Sequence, residues 1–279
     1  MLPLKDPSSG ADHAGSDPAL SAVWDADADA YDRYLQQGRG RLRQEAALSN
    51  LLETVPDLRG GGMRVLDAGA GTGRLAVRLS ILGHRVRALD PSPRMLVLAQ
   101  AHAAAAGPAV EERLTYAAGT IEGLRSQKGP CYDIAVAHHV LEYVPDPVAA
   151  VRALAASLRT GGHVSLVTAN RLARPLRLAS QGKGPGEVRA SMEERRFRTE
   201  LFGGWRTEYT PLELESFSSM AGLVTVALRG VGVFANLQAG PAPAPEDEEL
   251  WLQVELDAGR EREYLGSASY IQCIGRKPM

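Results

Sequence analysis

The run Arg64-Val65-Leu66-Asp67-Ala68-Gly69-Ala70-Gly71-Thr72-Gly73-Arg74 constrains this chain most. Val65 and Leu66 open a short apolar strand, and residues 75–82 carry helical spacing, so the segment reads as strand, tight loop and helix. Glycines at 69, 71 and 73 let the backbone turn sharply and approach a ligand with no Cβ in the way. The helix behind them points its first N–H groups at the same place. The spacing is Gly-x-Gly-x-Gly, and the sixth position of a dinucleotide fingerprint is Arg74 rather than glycine, which argues against a nicotinamide site.

Downstream, strands are predicted over 63–68, 84–89, 113–117, 131–137 and 163–169, with helices near 73–82, 92–106 and 147–158. Such alternation specifies an α/β fold, a parallel sheet wrapped by helices on both faces. Ligands then bind at the carboxyl ends of the strands, where 69–73, Asp90, Thr120 and His138 converge. A helix over 211–221, with Thr210 as N-cap and Pro211 first inside, leads to a strand over 223–229. A flexible Pro-Ala stretch at 240–245, a helix over 246–260 and a strand over 267–275 close the chain.

Two helices, near 24–37 and 41–55, precede the glycine loop. Tyr31, Tyr34 and Leu35 share a face of the first, as a lid over the pocket or as packing. Residues 1–22 read as a disordered tail, and the six aspartates within 1–30 as its solvated charge. The remainder, 23–279, fits one enlarged domain, since 279 residues at 44% hydrophobic content are ample for a core. A net charge of −2 favours neither general nucleic-acid affinity nor membrane attraction. Cys131 and Cys273 sit in apolar strand-like runs and read as buried free thiols of a reducing compartment. With no apolar run near ~20 residues and no basic, apolar leader, the expected location is cytoplasmic.

Asp67, the glycine loop, Asp90 placed 17 residues after Gly73, and the Gly161-Gly162 turn together resemble the class I S-adenosylmethionine-dependent methyltransferases. The resemblance implies a Rossmann-like seven-stranded sheet with a reversed last strand. It also implies a glycine loop carrying the amino-acid end of S-adenosyl-L-methionine, and Asp90 on the ribose hydroxyls. Closer motifs follow. His138-His139-Val140-Leu141-Glu142-Tyr143-Val144-Pro145-Asp146-Pro147, Gly40-Arg41-Leu42-Arg43-Gln44 and Gly230-Val231-Gly232-Val233-Phe234 resemble the bacterial tRNA wobble-uridine carboxyl methyltransferases. Those enzymes convert 5-carboxymethoxyuridine to its methyl ester. The likeness runs loosely over about 30–277 and is weakest in 171–208. It implies Arg43 on the cofactor carboxylate, and Gly69, Ala70, Gly71 and Gly73 around the amino-acid end. Ala118, Gly119 and Thr120 would flank the adenine, and His138 would close the pocket. Where that family has an amide and an acid, this chain has Gly119 and Thr120.

Residues 23–58 then form a helical cover, and 171–208 a substrate-side insertion after strand 5. The insertion holds nine cations against five acids in an overall acidic chain. Arg195, Arg196, Arg198 and Arg206 are its substrate-binding candidates, because a guanidinium fork orients a carboxylate. An ordinary solvated surface is the alternative. His138 or His139 could act as a base or bond the cofactor, and Glu142 reads as a helix start or surface turn. No completed metal-ligand set accompanies the two histidines, and no catalytic residue is fixed. The expected function is carboxyl methylation of 5-carboxymethoxyuridine in tRNA. A small-molecule O- or N-methyltransferase of secondary metabolism, acting on a small carboxylate or nucleoside, is one alternative. A cofactor-binding adaptor without turnover is another.

Overall fold

The computed structural model describes residues 18–126, 131–199, 204–237 and 244–279. Two helices, α1 (Pro18–Gln36) and α2 (Gly38–Thr54), precede β1 (Arg64–Ala68). The chain then alternates through α3 (Arg74–Ile81), β2 (Arg85–Asp90), α4 (Pro93–Ala106), the short α5 (Pro108–Glu111), β3 (Leu114–Ala118), β4 (Tyr132–His138), α6 (Pro147–Ser157) and β5 (Leu158–Ala169). An insertion follows, made of α7 (Ala173–Ser180), α8 (Pro185–Glu193) and a hairpin of β6 (Arg196–Arg198) with β7 (Trp205–Thr207). Helix α9 (Pro211–Met220), β8 (Val224–Val231), α10 (Glu248–Arg260) and β9 (Tyr270–Arg276) complete it.

The sheet has seven strands in the order β3-β2-β1-β4-β5-β9-β8, and β9 alone runs antiparallel to both neighbours. Strand β1 is buried on both faces, because Val65 joins one apolar cluster and Leu66 the other. From β1 the chain moves outward through β2 and β3, then returns to β1's other edge at β4. The loops leaving β1 and β4 therefore diverge and open a crevice between them.

Several expectations need correction. Helix α1 starts at Pro18, so residues 18–22 are helix rather than tail, and residues 1–17 of the expected tail lie outside the described residues. Asp25 and Asp29 are not solvated tail charge, and Asp32 beside them is also paired. Asp32 takes a forked pair of bonds from Arg74 at 2.8 and 2.9 Å. Asp29 pairs with Arg94 at 2.8 Å, and Asp25 accepts from Ser92 and from the Arg94 N–H. These contacts fasten α1 over α3 and α4. Gly161 and Gly162 lie inside β5, remote from the crevice, where a Cβ on Gly162 would come within 2.9 Å of Asp133 O. Of the Pro-Ala stretch, 240–243 lies outside the described residues. Both cysteines are free thiols, with Cys273 buried and Cys131 half-buried. Among the described residues no helix is long and apolar enough to cross a membrane.

Candidate active site

The glycine loop is built on positive φ at Gly69, Gly71 and Gly73. A Cβ at Gly69 would overlap the Val140 side chain, which borders the crevice from the β4 side. One at Gly73 would overlap Ala99 of α4, so this third glycine serves helix packing. Asp90, ending β2, fixes the loop as well as facing the crevice. Its Oδ2 accepts the Gly71 N–H at 2.8 Å and its Oδ1 the Ser92 N–H at 2.9 Å.

A cavity of about 880 Å³ fills the crevice. Of the residues predicted to hold the cofactor, Arg43, Gly69, Ala70, Gly71, Asp90, Gly119, Thr120 and His138 line it. Gly73 and Ala118 do not: one lies against α4, the other pairs with Asp90 across the sheet. Asp67 lines it too. Burial, then the neighbouring Asp90, pushes the Asp67 carboxyl up to about 7, and its Oδ2 has no hydrogen-bond partner. Burial likewise raises Asp90 to about 6, against the lowering effect of its two backbone N–H donors.

Arg43 of α2 is 8% exposed. Its guanidinium lies 3.4 Å from both the Tyr270 and Tyr31 hydroxyls and over the rings of Tyr34 and Tyr270. Burial disfavours its charge, but the tyrosines outweigh burial and hold it protonated. Among the described residues it forms no ion pair, and its Nε–H is buried without an acceptor. A fixed cation with an orphaned donor and an orphaned carboxylate oxygen on Asp67 share one cavity. An amino acid's carboxylate and ammonium match both.

Residues 34–227, more than half of the chain, match the family model described as a methyltransferase domain. The chain belongs to that family. The chain is 36% identical over 179 residues to a ubiquinone biosynthesis O-methyltransferase of Methylocella silvestris, an alignment covering 64% of each chain. A second such relative, from Xanthomonas axonopodis, is matched over 51% of its length, so the chain spans under two thirds of these curated relatives. A tRNA 5-carboxymethoxyuridine methyltransferase of Escherichia coli is 28% identical over 86% of this chain and 90% of its own. Among solved structures, magnesium protoporphyrin IX methyltransferase from Synechocystis, with bound S-adenosylhomocysteine, superposes with a TM-score of 0.61. It covers 94% of this chain and all of its own at 15% identity, a likeness of fold. The methyltransferase thus has the class I fold, and the cofactor of its family is S-adenosylmethionine.

Elsewhere in the cavity, Trp24, Tyr31 and Tyr143 form an aromatic wall, with Trp24 edge-on to Tyr143 at 5.1 Å and to Tyr31 at 5.9 Å. The four candidate arginines separate. Arg196 lines the cavity and lies over the ring of Trp205, which is 56% exposed. Arg195 pairs with Glu213 instead, and Arg198 is exposed away from the cavity lining. Arg206 is turned inward, bonded to Glu208 at 3.0 Å and stacked on Phe197.

Glu142 corrects its expected place as a surface turn. It is 3% exposed and accepts the Ala169 N–H at 2.8 Å. His138 and His139 both line the cavity, and burial drives them down to about 3 and about 4, with Arg43 opposing a further charge on each. Sequence reasoning missed Asp67 as a site residue, along with Trp24, Glu142 and Tyr270. The i, i+3 spacing of His139 and Glu142 was the only available signal for Glu142. Tyr270 reaches Arg43 from the last strand, which local spacing does not reveal.

When bound, S-adenosylmethionine supplies an electrophilic methyl group on sulfur. The protein's share is positional: Arg43, Asp67, Asp90 and the aromatic wall line one cavity, where Arg43 and Asp67 would hold the amino-acid end, Asp90 would take the ribose, and the rings would exclude water. If Asp90 holds the ribose, Asp90→Ala is expected to weaken S-adenosylmethionine binding by about 1–3 kcal/mol, since two hydroxyls would lose their acceptor. Unchanged affinity in calorimetry would place the ribose elsewhere.

Proposed function

We propose that this methyltransferase methylates the carboxylate of 5-carboxymethoxyuridine in tRNA. One observation carries the reading: Arg196 stacked over the exposed Trp205 at the cavity rim. An aromatic face there suits a splayed-out base, and a guanidinium suits its carboxylate or a flanking phosphate. The end-to-end likeness to the Escherichia coli tRNA enzyme supports it, as does a cavity of about 880 Å³, large enough for a cofactor and a nucleoside. In nucleoside mass spectrometry, tRNA bearing the acid should gain an alkali-labile methyl ester. Failure of methyl to enter that tRNA sinks the reading. Trp205→Ala should lower kcat/KM for tRNA by about 1–3 kcal/mol, roughly five- to a hundredfold, while cofactor affinity stays put.

A second reading, methylation of a small molecule at oxygen or nitrogen, is favoured by the pairing of the insertion's cations. Arg174 bonds Glu194 at 3.0 Å, Arg206 bonds Glu208, Arg195 meets Glu213, and Lys183 lies 3.5 Å from Glu187. Paired arginines offer little free field to a polyanion. Turnover that survives replacement of Arg195, Arg196 and Arg198 by Ala supports this reading over tRNA. A non-catalytic, cofactor-binding adaptor would release no S-adenosylhomocysteine with any acceptor.

A further inference from the structure

Methylating a carboxylate requires no proton acceptor, yet the cavity wall holds one that this chemistry leaves idle. We infer that His139, backed by Glu142, is the general base of the site and that the cavity is built to take an acceptor bearing a hydroxyl group. This rests on the second reading above, a small protic acceptor, and specifies its chemistry.

Among the described residues His139 is the one non-glycine residue at positive φ, 60°. Its backbone is held there by an N–H bond to Val167 O at 2.8 Å. Such strained positions concentrate at functional sites. Its Nδ1 lies 3.2 Å from Glu142 Oε1, which also receives the Ala169 N–H. Burial raises the Glu142 carboxyl, but His139, Arg206 and the Ala169 N–H outweigh burial and keep it ionised. An ionised carboxylate only accepts, so Nδ1 carries the ring proton and Nε2 keeps its lone pair. Nε2 has no hydrogen bond among the described residues, and the ring lines the cavity.

His138 is arranged the other way round. Its Nε2 lies 2.8 Å from Ser165 Oγ, which already accepts from Gln272 Nε2 at 3.0 Å. Gln272 is oriented by Ala47 O at 2.9 Å and by Asn50 at 3.1 Å, so its amide donates to Ser165. Among the described residues no other acceptor is in reach of the Ser165 hydroxyl, so its proton goes to His138 Nε2 and the ring proton of His138 sits on Nδ1. Two adjacent residues that line the cavity thus carry one N–H donor and one bare nitrogen. A carboxylate has no proton to offer the bare nitrogen. A hydroxyl group uses both, accepting from His138 and donating to His139.

The groups facing His139 are Glu142 behind it, Tyr270 edge-on at 4.7 Å, His138 beside it, and the cations Arg43 and Arg206. Burial, and then these cations, oppose protonation more than Glu142 favours it, so the ring is neutral at physiological pH. In the transfer, the hydroxyl proton passes to His139 Nε2 and an oxygen electron pair forms the bond to the methyl carbon. The pair of the broken carbon–sulfur bond stays on sulfur, leaving a neutral thioether.

The tautomer can be read without knowing the acceptor. In the ¹⁵N-histidine-labelled full chain, with signals assigned through His139→Asn and His138→Asn, His139 should show a protonated Nδ1 and a bare Nε2 at pH 7. Glu142→Gln should abolish that fixed state. Asn tolerates the left-handed backbone at 139, so His139→Asn should fold, with a melting curve as the check. With catechol as the probe acceptor, wild-type protein should form a methyl ether, and His139→Asn should lower kcat/KM by about a hundredfold or more. A protonated Nε2 at His139, or catechol turnover unaffected by His139→Asn, overturns the assignment of the base. Absence of any methyl ether from wild-type protein overturns the hydroxyl acceptor itself, and the separate tRNA assay then stands or falls alone.

Discussion

Arg43→Met should raise or preserve the melting temperature of the free protein while lowering its affinity for S-adenosylmethionine by about 3 kcal/mol, roughly a hundredfold. The opposed signs follow from where the charge sits. The guanidinium is buried with no carboxylate in range among the described residues, held by two tyrosine hydroxyls at 3.4 Å and two aromatic faces. A buried charge without a counter-ion costs desolvation that such contacts offset only in part, and an apolar side chain of similar length removes that cost. The cofactor's carboxylate would be the missing counter-ion, in which case the same substitution strips the complex of a charge-assisted pair. Arg43→Lys keeps the charge but loses the fork and should fall between the two. Calorimetry and a melting curve on the same sample settle it. A variant that melts early yet binds cofactor normally would make Arg43 a packing element.

The strand-loop-helix run and the succession of the first five strands along the chain were legible because each rests on local signals: apolar runs, glycines at fixed spacing, and an acid ending a strand; the reversed last strand came only from the family resemblance. The place of Asp90 at the end of β2 beside the cavity was legible for the same reason, but not its bond to the Gly71 N–H. The insertion was not legible. Its charge excess suggested an open basic face, whereas Arg174, Arg195 and Arg206 are matched to Glu194, Glu213 and Glu208 once α7, α8 and the hairpin fold together. A count of charges carries no pairing information when partners such as Glu213 lie outside the segment counted. Helix α1 was misjudged in a similar way. Its aspartates resemble a solvated tail until Arg74 and Arg94, some forty and sixty-five residues on, are brought beneath them. Glu142 is a polar residue in a loop by pattern and a buried hydrogen-bond hub by structure.

Glu255→Ala should cost about 3–5 kcal/mol of stability, the largest loss expected from a residue that touches neither cofactor nor acceptor site. Glu255 lies on α10, is 1% exposed, and turns its carboxylate onto the chain leaving β8. One oxygen accepts the N–H groups of Phe234 and Ala235 at 2.9 and 2.7 Å, and the other accepts that of Val233. Removing it strands three donors, of which Val233 and Ala235 are fully buried. The Ala235 carbonyl in turn accepts Arg39 Nε at 2.8 Å, so the same turn braces the start of α2, the helix that carries Arg43. Glu255→Gln keeps one acceptor oxygen, which can still serve Phe234 and Ala235, and should cost only about 1–2 kcal/mol through Val233. In a chain of this size the alanine variant should melt roughly 10 °C lower and the glutamine variant a few degrees lower. Equal losses in the two would assign the effect to packing of α10. No loss in either would mean that water reaches the turn and replaces the carboxylate.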